Sequence, residues 1–125
     1  MNQIKNFIIL SVILLSVIGC AQHNPSNSYT MEQFKEKLKS DKELIVIDVR
    51  TPEELAVPLS KIDGAINIPL QVLESRISEL EKYKDKEIAV VCRTQNRSSV
   101  AASILSKNGY NAKYVLGGMT AFRQK

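Results

Sequence analysis

The 125-residue sequence predicts an α/β domain built on a mostly parallel sheet of about five strands, and three observations carry that prediction. Short continuous apolar runs, Leu44-Ile45-Val46-Ile47 and Ile88-Ala89-Val90-Val91 foremost, have the character of strands buried on both faces. Helix-start signals fall between such runs, so strands and helices alternate. About a hundred residues remain once an N-terminal leader is set aside, which is room for one hydrophobic core and one domain.

The leader comes first along the chain. Lys5 supplies a thin positive start, and Phe7–Ile18 is an apolar run broken only by Ser11 and Ser16. It is short for a bilayer span but fits the core of a signal peptide. It ends in Val17-Ile18-Gly19-Cys20, which resembles a bacterial lipobox. That resemblance implies cleavage before Cys20 and acylation of its thiol. The expected organisation is a signal peptide over 1–19, a lipidated polar tether over 20–29 and one domain over 30–125. A chain of this kind is anchored to a lipid bilayer at the cell envelope, facing the periplasm or exterior.

Within the domain, Thr30 with Gln33 forms a capping box and opens a helix through about Lys39. The first strand, Leu44–Ile47, delivers Asp48-Val49-Arg50 at its carboxyl end. Thr51-Pro52-Glu53-Glu54 starts a second helix, with Pro52 at its first position. Ala65–Ile68 is a brief strand stopped by Pro69. Gln71–Tyr83 carries Val72, Leu73, Ile77 and Leu80 at helical spacing. Ile88–Val91 is a buried strand that runs straight into Cys92. Ser98–Asn108 is helical, with Val100, Ala101, Ile104 and Leu105 expected to face inward and Gly109 as the stop. Lys113–Leu116 is the last strand, followed by Gly117-Gly118 and a short terminal helix. Ligands of such sheets bind beyond the carboxyl ends of the strands, where Asp48–Arg50 and Cys92–Arg97 both lie.

Charge and composition exclude several function classes. The formal charge of +4 falls to +3 without Lys5, and the basic residues alternate with acids as on solvated helix faces. No basic stripe interleaved with aromatics is present, so a nucleic-acid partner is not expected. A modest positive balance suits small anionic substrates. The one histidine, His23, falls in the tether, which argues against a Cys/His protease and against a metal site. No cofactor is expected, and a monomer is.

There are two cysteines, Cys20 and Cys92, so no disulfide framework exists. With Cys20 lipidated, Cys92 is a lone thiol outside the cytoplasm, where an unpaired thiol invites a chemical explanation. Its loop, Cys92-Arg93-Thr94-Gln95-Asn96-Arg97, joins a buried strand to a helix N-terminus. The backbone N–H groups there form an anion nest, and Arg93 and Arg97 add fixed positive charge. Such surroundings favour a thiolate, a nucleophile that needs no histidine base.

The segment Val90–Ser99 resembles the active-site loop of the rhodanese family, C-R-x-G-x-R-S. Ile47-Asp48-Val49-Arg50 resembles the family's I-D-V-R, Gly64–Pro69 its G-A-x-N-I-P, and Val115–Phe122 its L-x-G-G-x-x-A-W with Phe for Trp. The four blocks occur in family order over roughly Thr30–Phe122. The resemblance implies a three-layer α/β/α domain and a sulfurtransferase that moves a sulfane sulfur from thiosulfate or a related anionic donor to a thiol acceptor or cyanide. Cys92 would carry the sulfur as a persulfide. The loop amides of Arg93, Thr94, Gln95, Asn96 and Arg97 would hold it. Arg93 would attract the donor, Arg97 would brace the loop, and Ser98 would be a supporting residue. Asp48 and Arg50 are expected to be a structural pair tying neighbouring loops.

This sequence departs from the pattern twice. Gln95 stands where the family has Gly; if that position needs positive φ, the side chain costs on the order of 1 kcal/mol. The stretch Pro58–Ala65 lacks the family's histidine and is slightly longer. Two rivals remain. Cysteine–arginine phosphatase and arsenate-reductase loops place five residues between Cys and Arg, whereas four intervene here. A non-catalytic rhodanese-like binding module at the envelope draws its support from Gln95.

Overall fold

In the computed structural model, which describes residues 27–57 and 61–124, five parallel strands lie in the order β1-β5-β4-β2-β3. The central strands β2 (Ile45–Asp48), β4 (Glu87–Val91) and β5 (Asn111–Val115) are joined by the register Ile45↔Ile88 and Ile88↔Ala112. The edges are two-residue strands, β1 (Ser28–Tyr29) and β3 (Ile66–Asn67). Parallel neighbours need crossovers, and helices supply them on both faces, as the α/β expectation requires.

Alternation along the central strands sorts the core into two layers. Ile47, Ile88 and Val90 face Leu73, Leu80, Ala101 and Leu105 on one side. Val46, Ala89, Val91 and Val115 face Phe34 and Met119 on the other. The first layer is covered by α3 (Leu73–Arg76) and α4 (Asn96–Lys107), the second by α1 (Met31–Ser40) and α5 (Gly118–Phe122). Phe34 is fully buried beside Phe122, with ring centroids 6.1 Å apart; burial of such a ring contributes roughly 2–3 kcal/mol.

Local chemistry explains most boundaries. Thr30 Oγ1 accepts from Gln33 N–H while Gln33 Oε1 accepts from Thr30 N–H, which is the anticipated capping box of α1. Pro52 opens the short α2 (Pro52–Leu55). Gly109, with φ +86°, ends α4 in the left-handed region.

Four expectations are corrected. The sheet begins at Ser28–Tyr29, inside the stretch assigned to the tether, and Tyr29 is buried beside β5. Gln71–Tyr83 is not one helix: Leu70–Val72 and Ile77–Tyr83 are 3₁₀ turns flanking α3. Ile77, Leu80 and Tyr83 are three apart, and a three-residue turn sets all of them against the same core layer. Helix α4 starts at Asn96 rather than Ser98. Val100 faces solvent at 51% exposure, because the inward stripe of α4 is Ser98, Ala101, Ala102 and Leu105. The leader, Cys20, His23 and Pro58–Ser60 lie outside the described residues.

Candidate active site

Strands β2 and β4 end side by side, with Asp48 opposite Val91, so the Asp48–Arg50 turn and the Cys92 loop emerge together. Val49 N–H donates to Val91 C=O at 3.0 Å and holds the two loops level. Asp48 and Arg50 are both buried and form a two-point ion pair, Nη2 to Oδ2 at 2.8 Å and Nε to Oδ1 at 3.0 Å. Asn67 of β3 donates its amide to the carbonyls of Asp48 and Arg50. This is the structural pair expected from the sequence.

Cys92 sits at the base of its loop and is 1% exposed. Its Sγ donates to Ser98 Oγ at 3.4 Å, and Ser98 Oγ donates to Gln95 C=O at 3.2 Å. Arg93, Thr94, Gln95 and Asn96 are exposed at the mouth of the loop. On the far side, Met119 N–H donates to Cys92 C=O at 2.9 Å and Thr120 N–H to Arg93 C=O at 3.0 Å. Trans peptides point each N–H opposite the preceding carbonyl. Docking these carbonyls on α5 therefore turns the N–H groups of Arg93 and Thr94 away from α5. Among the described residues, the backbone N–H groups of Arg93 through Ser98 donate to no other group. The loop amides expected to form an anion nest are thus left without an internal acceptor among the described residues.

Arg97 turns from the mouth toward α2. Its guanidinium grips Glu54 with Nη1 to Oε1 at 2.6 Å and Nη2 to Oε2 at 2.9 Å, and Glu54 also accepts from the N–H and hydroxyl of Thr51. Arg97 is therefore a brace across loops, as expected, and Glu54 is the partner that sequence reasoning missed. The signal was present: Glu54 was read only as part of the second helix start. Hydrogen bonds from Arg97 bring the Glu54 carboxyl from its ordinary 4.5 to about 2, while the same contact raises Arg97. A carboxyl depressed in the folded state stabilises above its unfolded pKa and loses that contribution as pH falls through the folded value. Glu54→Gln should therefore cost about 1 kcal/mol at neutral pH. The wild-type advantage should fade between pH 4.5 and about pH 2. Urea unfolding of both proteins across that window checks this, and a pH-independent difference would contradict it.

Gln95 corrects the strain argument. Its φ is −152°, so no left-handed turn is imposed there. The side chain is used: Gln95 Oε1 accepts from Gly117 N–H at 3.1 Å and links the Cys92 loop to the turn before α5. Gln95→Gly should accordingly give equal or lower sulfur-transfer turnover, with a lower melting temperature. A severalfold gain in steady-state turnover would restore strain as the explanation.

The glycine pair after β5 was quoted in the sequence pattern without a role. Gly118 packs directly on the loop: an added Cβ would lie 2.2 Å from Thr94 O and 2.5 Å from Cys92 O. Among the described residues, no group of three or more His, Cys, Asp or Glu could hold a metal ion.

Comparison with known proteins agrees with this geometry. The chain is 30% identical over 97 residues to a sulfurtransferase of Allochromatium vinosum, covering 77% of this chain and 87% of that one. It is 37% identical over 73 residues to the thiosulfate sulfurtransferase PspE of Escherichia coli, covering 58% and 68%. It spans 42% of the putative sulfur carrier protein YrkF of Bacillus subtilis, at 37% identity. Among solved structures, the rhodanese-like domain protein of Staphylococcus aureus superposes with a TM-score of 0.70 at 31% identity, over 79% of this chain and 93% of that one. The rhodanese-like domain family model matches residues 30–125, and with Cys92, its loop and the docking glycines arranged as described, the chain belongs to the rhodanese-like family.

Proposed function

We propose that the chain is a sulfurtransferase that carries a sulfane sulfur on Cys92, taking it from thiosulfate or a related anionic donor and passing it to a thiol or to cyanide. The observation that carries this reading is the placement of Cys92 at the base of a loop whose N–H groups from Arg93 to Ser98 have no partner among the described residues. The Cys92 thiolate attacks the outer sulfur of thiosulfate. A new S–S bond forms, the bond to the sulfonate sulfur breaks, and its electron pair leaves with sulfite. Charge is conserved, with one negative charge left on the terminal sulfur. The loop amides face that charge beside the buried Cys92, where fixed dipoles stabilise it. Ser98 turns its hydroxyl from Gln95 C=O to whichever charged sulfur lies at Cys92. The relatives named as sulfurtransferases support the reaction class.

The non-catalytic module drew its support from a turn that would need glycine, and the φ of −152° at Gln95 is not such a turn. Mass spectrometry of the full chain after thiosulfate treatment tests the enzyme reading. A gain of one sulfur on the Cys92 peptide is expected, and no gain would overturn it.

We further propose that the protein is anchored at the cell envelope through acylated Cys20, on the evidence of the leader sequence alone. Cys20→Ser should abolish labelling by a radioactive fatty acid and move the protein out of the membrane fraction. Undiminished labelling would contradict the anchor.

A further inference from the structure

A cleft of about 250 Å³ opens beside the Cys92 loop, between α2 and α5, with Arg50, Glu54, Arg93, Thr120 and Arg123 among its walls. Its charges are not all balanced. The Arg50 guanidinium is held by Asp48, and the Glu54 carboxylate by Arg97. Arg93 and Arg123 are exposed, and among the described residues neither side chain has a hydrogen bond or an ion pair. The cleft thus presents two uncompensated guanidinium groups. It is joined to the sulfur site through the backbone, since Thr120 N–H binds Arg93 C=O and Met119 N–H binds Cys92 C=O.

Size separates this cleft from the donor's place. Its volume equals that of about eight water molecules, more than one oxyanion needs. The sulfur carried on Cys92 is already served by the loop amides. What remains is room for a second, larger molecule with negative charge away from its sulfur. Guanidinium forks match carboxylates in two-point geometry, and two forks favour a molecule with more than one acid group.

We propose that this cleft binds the sulfur acceptor, and that the acceptor is a small thiol bearing carboxylates, with Arg123 holding a carboxylate remote from the reacting sulfur. The proposal rests on the sulfur-transfer reading above. The acceptor thiolate attacks the outer sulfur of the Cys92 persulfide and forms a new S–S bond. The Sγ–S bond breaks and its electron pair returns to Sγ. The acceptor leaves as a persulfide, with no net oxidation. Arg123 is a specificity residue: it acts on acceptor binding and leaves the loading of Cys92 to the loop.

The test compares mercaptosuccinate, a dicarboxylate thiol, with neutral 2-mercaptoethanol as acceptors for the wild type and Arg123→Ala. The variant should raise KM for mercaptosuccinate about tenfold with little change in kcat, and shift KM for 2-mercaptoethanol less than about twofold. Thiosulfate loading of Cys92, followed by mass spectrometry, should stay at the wild-type level. Equal KM shifts for both thiols, or no shift for mercaptosuccinate, would overturn the proposal. Slower loading would also overturn it, by assigning the cleft to the donor. A binding arm keeps the two readings distinguishable. Mercaptosuccinate titrated into the Cys92→Ala protein should perturb the NMR signals of Thr120 and Arg123, and Arg123→Ala should remove that response. If the wild type forms no persulfide, the sulfur-transfer reading fails while this titration still decides the cleft. An absent response would reject it.

Discussion

Cys92→Ala is expected to abolish sulfur transfer, lowering turnover by about 10⁴-fold or more, because no other described group supplies a sulfur nucleophile. The substitution removes one atom from a packed site and leaves the backbone of the loop untouched. Its cost in stability should be about 1 kcal/mol, so the variant folds and the loss can be assigned to chemistry. Cys92→Ser is the stricter comparison. It keeps a polar atom beside Ser98 Oγ but offers a hydroxyl that is not ionised near neutral pH. Both variants should fail to gain sulfur from thiosulfate and should release no thiocyanate when cyanide is the acceptor. Turnover within about tenfold of wild type in either one would remove Cys92 from the reaction.

That prediction was available from the sequence because the position of Cys92 is set by local signals. A continuous apolar strand must end where polar residues begin, and the carboxyl end of a parallel strand is where ligands meet such sheets. The Asp48–Arg50 pair was legible for the same reason: two charges two residues apart at a strand end have few ways to be buried other than together. Elements whose form depends on distant packing were not legible. Ser28–Tyr29 follows a run of Asn, Pro and Ser, and only the exposed edge of β5 makes a strand of it. The 3₁₀ turn of Ile77–Tyr83 reflects how three side chains meet one core layer, which outweighs helix propensity. Val100 was misplaced because α4 buries small alanines against the sheet, leaving a larger apolar residue outside.

In the candidate site the same division holds. Arg97 as a brace follows from its place in the loop, but its partner Glu54 is 43 residues away and comes within reach only when β2 and β4 pair. Gln95 shows the opposite error. A family glycine suggested a positive φ, yet the backbone there is negative and the amide is bonded to Gly117. Curvature of the loop is imposed from outside, by α5 capturing the carbonyls of Cys92 and Arg93. Positive φ is found instead in the segment that does the capturing, at Gly117 and Gly118.

Gly118→Ala should therefore be the most damaging single-carbon change in the protein outside Cys92. A Cβ at this position would lie 2.2 Å from Thr94 O, 2.5 Å from Cys92 O and 2.8 Å from Arg93 C. All three are backbone atoms of the Cys92 loop, so no side chain can rotate away to make room. The residue also holds φ at +51°, which adds about 1 kcal/mol of strain for alanine. Either the loop lifts from α5 or the turn before α5 unwinds. Both outcomes release the carbonyls of Cys92 and Arg93 and disturb the loop N–H groups beside Cys92. The expected result is a loss of about 3 kcal/mol or more in stability and at least a hundredfold in turnover. Gly109→Ala separates strain from collision. It has φ +86°, but the nearest atom to its added Cβ is Lys84 Nζ at 3.5 Å, the end of a flexible side chain. That variant should lose about 1 kcal/mol in urea unfolding and keep its transfer rate. If Gly118→Ala transfers sulfur within about threefold of wild type while folding normally, the docking of α5 is not what shapes the loop, and its curvature must come from the residues between Cys92 and Ser98.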